Sequence, residues 1–151
     1  MHSLVRRYIK TAIGFLLIGL VTGGWMLARR ELGGVFPGAY PVSAHTHAIL
    51  VGFVMMMILG VALWLFPRPD RSDDRYRPAL AEASYWMLTV GSAIRVIGEL
   101  LRPSLSAAWL RWAVLLGGLL QIGALAVFFY NMWSRIRAAG SGVREARGER
   151  F

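Results

Sequence analysis

Four apolar blocks, at roughly residues 8–27, 44–66, 80–101 and 108–133, constrain the fold of this chain more than any other feature. Each approaches the ~20 residues that a helix needs to cross ~30 Å of hydrocarbon. In lipid the backbone must bond within its own segment, so the blocks are expected to be helices. Of the 151 residues, 56% are hydrophobic. One soluble core of this size would not hide so much apolar surface, and the excess is expected to face a lipid bilayer. The expected fold class is all-α: an integral membrane four-helix bundle within residues 1–137, followed by a solvated tail over 138–151. The first block leads into Arg29-Arg30-Glu31 rather than a small-residue cleavage site, which reads as a retained anchor.

The formal net charge of +9 raises the question of a nucleic-acid partner, but the basic residues gather at the ends of the apolar blocks. Arg6, Arg7 and Lys10 precede the first block. Arg68, Arg71, Arg75 and Arg77 separate the second from the third, and Arg135, Arg137, Arg144, Arg147 and Arg150 follow the fourth. The two opposite connections hold Arg29, Arg30, Arg102 and Arg111. This asymmetry predicts both termini on the inner side of a bacterial or archaeal cytoplasmic membrane, and no nucleic-acid binding. Gly33-Gly34, Pro37-Gly38 and Pro41 are expected to break the chain between the first two blocks, so that the second helix starts near Ala44. With no cysteine in the chain, disulfides, thiolate metal sites and thiol redox chemistry are excluded.

Chemistry is most legible at Ser43-Ala44-His45-Thr46-His47, expected in the first turn of the second helix. Histidine is costly in lipid and tends to face a bundle interior. Its neutral imidazole also ligates haem iron or copper. Two residues apart on a helix is about 200° of rotation, so the rings point in nearly opposite directions and do not share one ion. The face of His45 continues through Ile49, Gly52, Met56 and Gly60, where small residues leave room for a flat macrocycle or a close helix neighbour. His47 continues through Val51, Val54, Ile58 and Leu65, a plain aliphatic stripe. His45 is thus the first candidate ligand and His47 the second. The competing reading is a pair of interfacial histidines bonded to backbone carbonyls.

Arg95 and Glu99, one turn apart in the third block, lie at about the same depth. Arg95 suits a haem propionate, with Glu99 paired to it or to a histidine; alternatively the two form an i,i+4 ion pair reaching for the interface. Gly19-x-x-x-Gly23 in the first block permits close approach of another helix, and Met26 further along is a candidate second haem ligand. Met55-Met56-Met57 reads as apolar filling, and Gln121 and Asn131 as polar contacts between helices.

The pattern HxHxxLxGF, formed by His45, His47, Leu50, Gly52 and Phe53, with Pro67 at the helix end, resembles the second helix of the haem-copper oxidase superfamily. It is especially similar to NnrS-type haem- and copper-containing membrane proteins, and its His-Thr start resembles nitric oxide reductases. The resemblance implies haem b on a histidine near the outer end of this helix, matched here to His45 and alternatively to His47. Large catalytic subunits of that superfamily use further histidines on later helices, whereas this chain has only His2 besides the pair. The expectation is therefore a small b-type haem protein, not a complete oxidase or reductase, serving electron transfer or the binding of nitric oxide or oxygen. It would act as a homo-oligomer or within a respiratory or denitrification complex. The alternatives are a non-redox accessory subunit of a terminal oxidase or nitric oxide reductase, and a copper-handling membrane protein.

Overall fold

In the computed structural model, which describes residues 3–67, 76–136 and 147–148, all regular structure is helical. Helix α1 (Ser3–Gly33) runs past its apolar block at both ends, because the basic residues there are good helix formers. It stops at Gly34, which takes the left-handed conformation (φ 63°). The N–H groups of Gly34 and Val35 then take up the carbonyls of Arg30 and Arg29.

Helix α2 (Ala39–Leu65) starts at Ala39 rather than Ala44. Pro41 falls in its first turn, where the missing N–H would have been unpaired in any case, so the proline does not break the helix. The two histidines consequently lie in the second and third turns, ~9–12 Å along the axis, and not in the first. From His47 to Met55 the helix is wound as a π-helix before returning to α geometry over Met56–Leu65. Helix α3 (Pro78–Leu101) carries proline at its first position behind an extended Arg77. The Arg77 N–H donates to Asn131 Oδ1 at 2.7 Å, which gives that polar residue of the fourth block its role. Helix α4 (Ala108–Met132) ends in a 3₁₀ turn, Trp133–Arg135.

Three helical stretches, α1, α2 and Ala108–Arg135, are long and apolar enough to cross a membrane. In each, 28% of the most apolar window is buried within the molecule, so the remaining surface requires lipid or another chain. Helix α3 is less apolar because Ser84, Ser92 and Glu99 line its inward face. Packing on that side is set by glycine. A Cβ on Gly91 would lie 2.8 Å from the Gly117 carbonyl, and one on Gly117 would lie 2.9 Å from the Arg95 nitrogen, so α3 and α4 touch backbone to backbone.

The main apolar core, including Tyr8, Phe15, Met56, Leu59, Leu88 and Phe128, occupies the half of the bundle away from the histidines. Met56 is fully buried there, as filling. Among the described residues the buried apolar cluster of the histidine half is small: Ala44, Ala48 and Val96, with Leu100 against it. That half is therefore held by polar contacts to a greater degree. At the opposite end Arg135, counted in sequence with the basic residues that follow the fourth block, is buried. Its guanidinium donates to the carbonyls of Pro67 (2.8 Å), Phe66 (3.0 Å) and Leu63 (3.3 Å), closing the C-terminus of α2. The expectations for Arg68, Arg71, Arg75, Arg137, Arg144 and Arg150, and for nearly all of the 138–151 tail, fall outside the described residues.

Candidate functional site

The small-residue face of α2 was expected to meet either a macrocycle or another helix, and it meets α1. A Cβ on Gly52 would stand 2.7 Å from Phe15 Cβ, and one on Gly60 would stand 2.8 Å from Tyr8 Cβ. The same face carries His45, whose ring lies against Gly23 of α1, 2.8 Å (Cε1) from a Cβ built there. Its Nδ1 lies 2.9 Å from the Gly19 carbonyl oxygen. A carbonyl only accepts, so Nδ1 carries the proton and, in the neutral ring, Nε2 keeps its lone pair. Gly19-x-x-x-Gly23 is thus a seat for an imidazole: Gly19 supplies the acceptor, and the bare Gly23 backbone supplies the room.

Replacing Gly23 with alanine is expected to push the His45 ring off this seat and break the Nδ1–H bond, at a cost of about 1 kcal/mol. Nitrogen-15 spectra of histidine-labelled protein would show the loss of the fixed Nδ1–H tautomer. An unchanged tautomer signal would contradict the seat.

His47 faces the other way, toward α3. Its Nδ1 donates to the Ser43 carbonyl of the preceding turn at 2.8 Å, again leaving Nε2 as the lone-pair nitrogen in the neutral ring. Ser43 Oγ donates to Glu99 Oε1 at 2.9 Å. Arg95 Nε reaches the same oxygen at 3.2 Å, and Arg95 Nη1 lies 3.5 Å from Gln121 Oε1. Gln121 Nε2 in turn donates to Ser92 Oγ at 3.1 Å. Three helices are joined by one polar network centred on Glu99, which is 3% exposed. Its second oxygen has no hydrogen-bond partner and lies 3.6 Å from His47 Nδ1.

Of the alternatives read for Arg95, the structure shows the i,i+4 pair with Glu99. Arg95 and Glu99 come together with His47, not with His45, and Arg95 is engaged by a carboxylate and an amide. Met26 lies in the wall of a separate cleft at the end of the bundle. Gln121 makes the contact between helices expected of it, whereas Ser43 belongs to the network and was not singled out in sequence. The signal for Ser43 was its i−4 spacing from His47, which puts its hydroxyl and carbonyl beneath that ring.

Chemically, the two imidazoles suit axial ligation, since a ligating histidine usually donates its other ring N–H to a carbonyl or carboxylate. Space between the helices does not suit a macrocycle, because Phe15 and Tyr8 occupy the face of α2 below His45. Among the described residues no three His, Cys, Asp or Glu side chains are grouped to hold a metal ion. A copper or zinc site with the usual three or four protein ligands is therefore not formed by these residues in one copy.

A family model described as Cytochrome C and Quinol oxidase polypeptide I matches residues 3–148. No solved structure matches the chain.

Proposed function

The chain belongs to the cytochrome c and quinol oxidase polypeptide I family, and on that basis we propose that it is a small haem-carrying membrane subunit related to the haem-copper oxidase core. Its work is electron transfer or the binding of a diatomic gas such as nitric oxide or oxygen. The observation that carries this reading is the pair of imidazoles anchored through Nδ1–H to backbone carbonyls, each left with an Nε2 lone pair. His45 is the first choice of ligand and His47 the second. Haem b, when bound, would supply the redox-active or gas-binding iron, and the protein would supply the orientation of the imidazole.

The face of α2 that carries His45 is filled by α1, so this reading puts the macrocycle at a contact with a second chain, either another copy or a subunit of a respiratory complex. A symmetric pair of copies would bring the second axial ligand that one copy lacks. On this reading helix α3 is a fourth membrane crossing with Ser84, Ser92 and Glu99 turned inward, and the distribution of basic residues in the sequence supports both termini on the inner side of a bacterial or archaeal cytoplasmic membrane.

The test is an optical spectrum of protein purified in detergent after expression with haem available. A Soret band abolished in His45→Ala and kept in His47→Ala is expected, with a loss of at least about tenfold in haem per protein. Loss in His47→Ala alone would transfer the ligand to the network around Glu99. The tight packing of Phe15 on Gly52 and of Tyr8 on Gly60 favours a second reading, a non-redox accessory subunit. A colourless preparation that co-purifies with an oxidase would decide for it.

A further inference from the structure

At the histidine end of the bundle a cleft of about 410 Å³ opens between the end of α1, the chain leading into α2 and the end of α3. Its walls carry two guanidiniums, Arg29 and Arg102, with the rings of Trp25, Phe36 and Tyr40. Neither arginine meets a carboxylate among the described residues, whereas the adjacent Arg30 bonds Glu31 at 2.7 Å. Arg29 lies over Trp25 at 5.2 Å, and Arg102 lies over Tyr40 at 4.7 Å while donating to its hydroxyl at 2.9 Å. Stacking on a ring holds a guanidinium in place through its flat face and leaves most of its edge N–H donors free.

Two such forks beside apolar rings, where the helices end, match one ligand chemistry: an oxyanion attached to an apolar body. A small soluble anion has no use for the rings, and a neutral lipid has none for the charges. We propose that this cleft binds the headgroup of an anionic phospholipid. Arg29 and Arg102 take its phosphate, and Trp25 and Phe36 cover the glycerol and the first acyl carbons. Neither His45 nor His47 lines the cleft, so the site does not depend on either as a haem ligand; Met26, the candidate second ligand, is part of its wall.

Titration of the detergent-purified protein with phosphatidylglycerol, read by native mass spectrometry, tests the proposal. Phosphatidylglycerol is expected to bind more tightly than phosphatidylcholine, and R29Q/R102Q is expected to weaken it about tenfold or more. R30Q, which removes an equal charge outside the cleft, is expected to leave affinity unchanged. Equal binding by R29Q/R102Q, or equal affinity for the two lipids, would overturn the assignment. Displacement of the lipid by inorganic phosphate at matched concentration would also overturn it, in favour of a free-oxyanion site. Should the double variant not fold, the single variants carry the test, each expected to bind roughly threefold more weakly; no change in either rejects the site.

Discussion

Replacing Glu99 with leucine is expected to lower the unfolding free energy of the solubilised protein by about 3–5 kcal/mol, among the largest effects of any single side chain. The reason lies in what the carboxylate holds. It accepts from Ser43 on α2 and from Arg95 on its own helix, and it stands beside His47, all in a half of the bundle with little apolar core. Without it the Arg95 guanidinium keeps only the long contact to Gln121, and the Ser43 hydroxyl loses its acceptor. Removing both charges is a different experiment, because no uncompensated ion remains. Arg95→Leu/Glu99→Leu is accordingly expected to recover most of the loss. Denaturant unfolding in mixed micelles, followed by tryptophan fluorescence, measures both. A Glu99→Leu penalty below about 1 kcal/mol would mean that the network contributes little to stability.

The second large effect is expected at Gly91. Its Cα hydrogens face the Gly117 carbonyl, and a Cβ there would sit 2.8 Å from that oxygen and 2.8 Å from Leu120 Cβ. Backbone cannot yield as a flexible side chain does. Gly91→Ala should cost about 1–3 kcal/mol, and Gly91→Leu more than that, enough to separate α3 from α4. The internal comparison is Gly14→Ala and Gly24→Ala, where nothing lies within 4 Å. Each is expected to be neutral or to stabilise its helix by up to roughly 1 kcal/mol. Equal tolerance at Gly91 and Gly14 in the same unfolding assay would refute the backbone contact.

Sequence and structure agree where hydrophobic length decides and part where packing does. The four helices were legible because runs of apolar residues of bilayer length have few other solutions. The α2 start was misplaced because a proline counts as a breaker until its position in the first turn is known. Of the face read through His45, Ile49, Gly52, Met56 and Gly60, the residues His45, Ile49, Gly52 and Gly60 lie together against α1, whereas the stripe read through His47 ends in exposed Ile58 and Leu65. Room for a ring system and room for a neighbouring helix look identical in one sequence, however, and α1 took it. The Arg95–Glu99 pair was visible from its i,i+4 spacing, but its partner among the histidines was not, since that depends on which helix each face meets. Arg135 shows the same limit. Its position after the last span put it among the basic residues at the inner membrane surface, while its hydrogen bonds to three carbonyls require the return of α2 beside it, which no local pattern encodes.

The polar inward face of α3 also bears on biogenesis. A segment bearing Arg95, Glu99 and several hydroxyls partitions less readily from the translocon into lipid than its three companions. The connection 102–107 is short, and α4 follows it with a glycine surface already shaped to receive α3. The two are expected to insert as a hairpin, with α4 covering the polar face of α3. Entry of α3 into lipid is accordingly expected to depend on α4.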